Sequence, residues 1–450
     1  MEQRLEPLFT PWKIGNCEIK NRFVLTSMGG TDLFGWMEKN HFDKAGAHFI
    51  LEVAKNGAGL VMPGCQPVYN PMFGQWLHKN KKMYSDLKEW MPEFHKTGAK
   101  LFVQLTAGFG RSFTVSKMME SLYTNKFLRA VSKPFMNLDK ITASASPSPN
   151  RWSDKVPSRE MTVAEIRQLI DAFAESARLL KDAGVDGVEV HAVHEGYLLD
   201  QFTLLYVNKR TDEYGGSFEN RYRFAVEIVQ AIKKACGKDF PVSLRYSVLS
   251  KTKGFRQGAL PGEDYVEVGR DMAESERAAK YLQDAGYDCL NCDNGTYDAW
   301  YWAHPPVYMP ENCNLADVEH IKRFVDIPVI CAGRLDPRTA ADSVAAGRLD
   351  GRPAVDRQAQ GGTRGGHPSL HSLPQRLLQY VPLQGRAERS GALRQPASRP
   401  LRRERGNHAV EQALHPQDNQ PQNRTYHRRR HRRHGGSPGT QAARPQAGPP

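Results

Sequence analysis

The chain has 450 residues, with 62 Lys plus Arg against 49 Asp plus Glu and a formal charge of +13. Residues 352–450 hold 18 Arg, no Lys and five acids, so residues 1–351 are electrically balanced and the net charge names no partner for them. No apolar run approaches the ~20 residues that span a bilayer, which excludes a helical membrane protein.

The N-terminal MEQRLEPLFT carries charges and no apolar core, so no signal peptide is expected. Seven cysteines, an odd number and widely scattered, are expected in a reduced, cytoplasmic protein. Seven short apolar runs follow in order: FVLTSM (23–28), GLVMPG (59–64), KLFVQL (100–105), DGVEVHA (186–192), PVSLRYS (241–247), YDCLNCD (287–293) and IPVICAG (327–333). They are nearly continuous rather than alternating, which is the pattern of buried parallel strands. Helix-length amphipathic segments lie between them. In the clearest, Thr162 and Glu165 form a capping box, Ile166, Leu169, Ile170, Phe173, Ala177 and Leu180 recur at helical spacing, and Gly184 ends it. Residues 218–235 and 263–285 are read the same way.

Seven strand-then-helix units, with an eighth begun at 347–351, predict an α/β protein of the (β/α)8 TIM barrel class over residues 1–351. No G-x-G-x-x-G follows the first run, which argues against a dinucleotide-binding start. Residues 111–160 exceed the length of an ordinary loop and follow the third run, at the end where barrels place active sites. They are read as a substrate-covering loop. Residues 352–450 contain no Cys, Phe, Trp, Met, Ile or Lys and include HRRRHRRH at 427–434. Such a segment buries too little apolar surface to offset ~1–2 kcal/mol of ordering entropy per residue. It is expected to be a disordered basic tail. One reading makes it an arm that binds nucleic acid. The favoured one makes it a shifted reading frame of a GC-rich gene, because periodicity stops near Asp350 inside the eighth unit.

Two motifs carry more than fold. His191-Ala-Val-His194-Glu-Gly-Tyr197-Leu-Leu-Asp-Gln201-Phe202 is followed by Asn208-Lys-Arg210-Thr-Asp-Glu-Tyr214-Gly-Gly-Ser-Phe-Glu-Asn220-Arg221. This ordered stretch resembles the signature of the Old Yellow Enzyme family, in particular the barrel half of 2,4-dienoyl-CoA reductases, enoate reductases and bile-acid and steroid ene-reductases. LFTPWKIGNCEIKNRFVLTSM, Gln104-Leu105, PSREMT at 157–162, Leu244-Arg245 and Cys331-Ala-Gly333-Arg334 extend the resemblance over about 1–351.

The resemblance implies FMN as cofactor, NAD(P)H as electron donor, and reduction of an activated C=C. It implies that Gln104 and Arg245 hold the flavin ring, with Ser27, Met28 and Gly64 as backbone contact points. The residue types fit, since an isoalloxazine needs an amide partner on its pyrimidine edge and, when reduced, a cation near N1. His191 and His194 are implied as donors to the substrate carbonyl, where two imidazoles polarise the adjacent double bond. A core histidine is the bland alternative for His191 alone. Tyr197 is the implied proton donor, with Tyr297 in NGTY as second candidate. Gly333 and Arg334 match half of a phosphate site; the matching Gly-Arg after the eighth strand is absent in register, and Arg357 is a poor substitute.

This sequence departs from the family pattern twice. Glu195 lengthens the His-to-Tyr loop by one residue, and the turn Gln104-Leu-Thr-Ala-Gly-Phe-Gly-Arg111 lacks the customary His. Cys289-Leu-Asn-Cys292 has a metal-like spacing but lies in a buried strand with no second pair, so no metal is assigned. The longer relatives carry an iron–sulfur motif and an FAD domain after the barrel; no Cys follows Cys331 here. An enoate, a dienoyl-CoA thioester and a 3-oxo-Δ4 steroid all fit an apolar site with a carbonyl anchor. Nucleic acid is disfavoured as a partner, and the oligomeric state is open. An NAD(P)H oxidase acting on O2 or a quinone is the alternative enzyme.

Overall fold

Each apolar run becomes a parallel strand: β1 (Phe23–Leu25), β2 (Leu60–Val61), β3 (Lys100–Thr106), β4 (Gly187–Ala192), β5 (Val242–Ser247), β6 (Cys289–Asp293) and β7 (Val329–Cys331). The computed structural model describes residues 3–35, 38–133 and 136–350, and the backbone of 352–353. The expectations for 354–450, Arg357 and the basic tail among them, lie outside the described residues. An eighth strand, β8 (Arg352–Pro353), pairs in parallel with Phe23 and Val24 of β1, two residues past 351, where the eighth unit was expected to break off incomplete and the tail to begin. The hydrogen-bonded order is β7-β6-β5-β4-β3-β2-β1-β8. At the seam, the Asp350 N–H donates to the Val329 carbonyl at 2.9 Å. The sheet therefore curls round to its own edge as a (β/α)8 barrel.

Parallel neighbours need crossover helices. These are α1 (Lys44–Lys55), α2 (Lys81–His95), α3 (Val163–Asp182), α4 (Phe218–Cys236), α5 (Met272–Ala285), α6 (Leu315–Lys322) and α7 (Pro337–Ala345). Helix α3 starts in the Thr162–Glu165 capping box and ends before Gly184 at φ +94°. Helix α5 begins at Met272, nine residues later than the expected 263, because Asp271 caps it by accepting from the Glu274 N–H. The preceding irregular segment is anchored by Arg270, which is buried and donates to Asp200, the Thr203 hydroxyl and the Ser247 carbonyl. Among the described residues no helix is long and apolar enough to cross a membrane.

Alternation along the strands sorts the barrel interior into layers. Val24, Leu60, Phe102, Cys289 and Ile330 share an apolar cluster at the N-terminal end, stoppered by Trp12, Ile14 and Ile19 from an N-terminal hairpin. One step up, strand register brings Gln104 beside Glu189, and Glu189 beside Ser243. One step further, Arg245 lies between His191 and Asn291. The outward residues of the same strands, such as Val188, Val190, Leu244 and Leu290, join the larger core under the helices. Cys289 and Cys292 fall into these two different clusters, so the sheet separates them. Burial raises both thiols well above the ordinary range.

The segment after β3 is structured. Helices Lys117–Thr124, Lys126–Ser132 and Leu138–Ile141 accompany a small core of Phe113, Val115, Leu138, Ile141 and Val156. It reaches across the C-terminal mouth: Arg151 pairs with Asp298 after β6, and Arg256 after β5 donates to the Asn150 carbonyl at 2.8 Å.

Candidate active site

The upper interior of the barrel is one continuous polar network. Ser27 Oγ donates to Gln104 Oε1 at 2.9 Å, and Gln104 Nε2 donates to Glu189 Oε1 at 2.7 Å. Glu189 also accepts from Ser243 Oγ at 3.0 Å and Asn291 Nδ2 at 2.9 Å. Burial raises the Glu189 carboxyl, while Arg245 and these donors oppose the rise. Arg245 donates through Nη1 to Asn291 Oδ1 at 2.8 Å and through Nη2 to Asp293 Oδ2. The other Asp293 oxygen meets His194 Nε2 at 2.9 Å. Burial opposes ionisation of Asp293, but Arg245 and His194 outweigh it and hold the carboxyl below its usual range. Gln104 and Arg245 thus sit where the sequence reading put them, each with its orientation fixed by partners that reading missed: Glu189, Asn291 and Asp293. Their signal was a polar residue at every second place in otherwise apolar runs, V-E-V-H and C-L-N-C-D.

His191 and Tyr197 are both buried, and their rings stack at 3.6 Å. His191 Nδ1 has no partner among the described residues. Burial, then the neighbouring His194 and Arg245, push its imidazole well below the ordinary value, so it is neutral at pH 7. The two histidines are not equivalent: their rings are 6.2 Å apart and nearly perpendicular, and His194 is committed to Asp293. The Tyr197 hydroxyl lies 3.2 Å from Cys65 Sγ, a contact with no sequence signal. Tyr297 comes within 5.9 Å of Tyr197 between ring centroids, and its N–H donates to the His194 carbonyl at 2.6 Å. Burial raises both phenols, so both are held protonated. Both candidate proton donors therefore stand in one site.

The two departures from the family pattern meet each other. His194 and Glu195 are consecutive left-handed residues, at φ +68° and +51°, and this kink absorbs the additional residue. It turns the Glu195 side chain inward, where Arg111 Nη1 meets Oε1 at 2.5 Å, both side chains fully buried. Burial drives the Glu195 carboxyl up to about 7 despite Arg111.

A cofactor cradle is testable on buried polar atoms that the chain leaves unmatched. Asp32 Oδ1, His191 Nδ1, Asn314 Oδ1 and Arg334 Nε lack partners among the described residues. His191 lies near the C-terminal end of β4 and the other three lie in segments that follow strands, which fits a polar ligand spanning that face. Gly333 has φ +114°, and a Cβ there would lie 2.5 Å from Asn314 Nδ2, so the backbone at this phosphate candidate approaches its neighbour as only glycine permits. Gly64 is similarly tight: a Cβ would lie 2.4 Å from Asp32 Oδ1 and 2.6 Å from the Met28 carbonyl. Gly333→Ala is expected to destabilise the chain by about 1–3 kcal/mol, the scale of local backbone strain, read as a lower denaturant midpoint. An unchanged midpoint would show the loop to be free of that constraint.

A profile of the NADH:flavin oxidoreductase / NADH oxidase family matches residues 7–350. A cinnamate reductase of Clostridium sporogenes is 44% identical over 352 residues, covering 76% of this chain and 50% of that protein. An NADH oxidase of Thermoanaerobacter brockii is 31% identical over 343 residues, covering 75% and 47%. The chain thus spans about half the length of these relatives. A solved 2-naphthoyl-CoA reductase in complex with 2-naphthoyl-CoA shares the fold with a TM-score of 0.62 at 24% identity, over 78% of this chain and 50% of that one. With its signature motif at the mouth of a parallel barrel and the profile covering 7–350, this chain belongs to the NADH:flavin oxidoreductase / NADH oxidase family.

Proposed function

We propose that the chain is the flavin-binding barrel of an enzyme that uses NAD(P)H to reduce a C=C bond conjugated with a carbonyl. The observation that carries this reading is the stacked His191–Tyr197 pair, a neutral imidazole with an unmatched nitrogen against a protonated phenol. The similarity to a cinnamate reductase supports an enoate as substrate class. The unmatched polar atoms fit FMN, which Gln104, Arg245, Ser27, Met28, Gly64, Gly333 and Arg334 would hold. When bound, FMN supplies hydride chemistry that no amino-acid side chain can provide.

The remaining work falls to this chain. His191 donates a hydrogen bond to the carbonyl oxygen and draws electron density from the double bond. His194 engages Asp293 through Nε2, which fixes its ring beside the site and leaves Nδ1 as the nitrogen that can face the substrate. Tyr197 gives its proton to the carbon next to the carbonyl, and the Cys65 thiol steadies the hydroxyl meanwhile. The described residues of the segment after β3, anchored by Arg151 to Asp298 and by Asn150 to Arg256, would shield the mouth from water.

His191→Ala should cut turnover of a conjugated acid by about 10²–10³-fold, while reduction by NAD(P)H suffers less. Tyr197→Phe should slow reoxidation by substrate on the order of 10²-fold and leave the reductive half alone. A silent Tyr197→Phe beside a crippled Tyr297→Phe would move the donor to the β6 loop. Full NAD(P)H oxidation in His191→Ala with no enoate reduced by the wild type would favour an oxidase instead.

A further inference from the structure

We infer that the outer face of the short helices Lys117–Thr124 and Lys126–Ser132 docks on an anionic lipid surface, its apolar side chains entering the headgroup layer and its lysines meeting the phosphates. Neither helix has a buried residue. Met118 is 62% exposed, Phe127 74% and Val131 56%, and Leu128 is exposed beside them. Single exposed apolar residues are ordinary on a protein surface; four large ones between 118 and 131 form a group that the chain's own core does not use.

The face is held in place from behind. In the second helix Phe127 and Val131 are four residues apart and share one side. Arg129 lies on the opposite side and is committed inward, donating to Asp139 Oδ1 at 2.6 Å and lying 4.0 Å over the Tyr123 ring. Glu120 of the first helix is held likewise, accepting from Ser153 Oγ at 2.9 Å and Lys155 Nζ at 2.8 Å. Asn125 joins the helices and caps the second, accepting from the Phe127 and Leu128 N–H groups at 3.0 and 3.1 Å. The outward side chains are therefore preset, and docking carries little ordering cost.

The charges select the occupant. Lys117, Lys126 and Lys133 are exposed, and nearby acids are engaged by other cations: Asp139 by Arg129, Glu120 by Lys155 and Asp154 by Arg256. Helical spacing puts Lys126 and Lys133 on one flank, beside the Phe127–Val131 side. An apolar side bordered by lysines is the pattern of helices that lie in a lipid interface, where the ammonium groups reach the phosphates along their apolar stems. Side chains this exposed stand out singly rather than line a groove, which suits a soft phase better than a shaped protein surface. Apolar insertion and charge together make a reversible anchor, neither being sufficient alone.

Vesicle flotation of the full-length protein tests this, with phosphatidylcholine alone and with phosphatidylcholine plus phosphatidylglycerol. Binding to the anionic vesicles is expected to exceed binding to the neutral ones about tenfold or more, and to weaken as salt rises. Residues 352–450, with 18 Arg and five acids, would also attract anionic lipid. Phe127→Ser with Val131→Ser leaves the charge as it is and should still lower anionic binding about tenfold. Lys126→Gln with Lys133→Gln should lower it by about the same factor and leave neutral vesicles unaffected. Both variants should keep the wild-type denaturation midpoint, because the side chains changed are exposed. Anionic binding that the serine pair does not move would place the attachment elsewhere, the arginines of 352–450 included, and overturns the inference. So does wild-type protein that floats with neither vesicle. Self-association that the serine pair abolishes, without vesicle binding, overturns it as well and marks the face as an interface between copies.

Discussion

Arg111→Met should destabilise the barrel by about 3–5 kcal/mol at pH 8, because it strands one charge of a fully buried ion pair. Arg111 also donates through Nε to the Pro149 carbonyl at 2.9 Å and lies 4.3 Å over the Phe255 ring, so one side chain ties three segments of the mouth together. The loss should depend on pH in a defined direction. In the wild type, the Glu195 carboxyl is raised from 4.5 to about 7. The folded state thus binds a proton more readily than the unfolded chain, and stability falls as pH rises from about 4.5 through 7. Without Arg111 the carboxyl rises further, and protonation relieves the stranded charge. Denaturant midpoints should therefore differ more at pH 8 than at pH 5. Arg111→Met with Glu195→Gln should recover part of the loss. An Arg111→Met variant as stable as the wild type at pH 8 would mean that the pair is dispensable.

Arg245→Ala should weaken FMN binding by roughly ten- to hundredfold, the equivalent of a charged hydrogen bond of about 1.5–3 kcal/mol. Flavin released per chain from the purified protein measures it. A second consequence follows from Asp293, which Arg245 and His194 share. With the guanidinium gone, the carboxylate leans on His194 alone, so enoate turnover should fall further than flavin loss explains once FMN is added in excess. Arg245→Lys keeps the charge but cannot form the same fork to Asn291 and Asp293, and should fall between the two. Wild-type flavin content in Arg245→Ala would remove this residue from the cradle.

The barrel was legible because its signals are local. Seven apolar runs mark seven strands, and Thr162, Glu165 and Gly184 bound α3 within one stretch of sequence. Gln104, His191 and Arg245 were legible because a residue at the end of such a run has one place to go. What escaped was partnership across distance. Arg111 and Glu195 are 84 residues apart, and each alone looks like a departure from a motif. Asp293 reads as the polar end of a strand until register brings it to Arg245 and His194. The start of α5 was misplaced although residues 263–271 include Val266, Val268 and Gly269, poor helix formers that favour the later start. The buried Arg270, which anchors that segment, finds Asp200 seventy residues earlier.

The hairpin of Trp12, Ile14 and Ile19 under the apolar layer makes the barrel a cup with a sealed base. Anything that reaches the upper network must come and go through the same doorway. On the proposed function, the electron donor and the enoate would share that doorway, and each would have to vacate it before the other could dock. Turn-taking of this kind leaves a kinetic trace: reciprocal plots of rate against enoate at several fixed NAD(P)H concentrations should run parallel rather than converge. A cup would also set the order of loss during storage, with flavin leaving only by way of the substrate entrance, so a bound enoate should slow its escape.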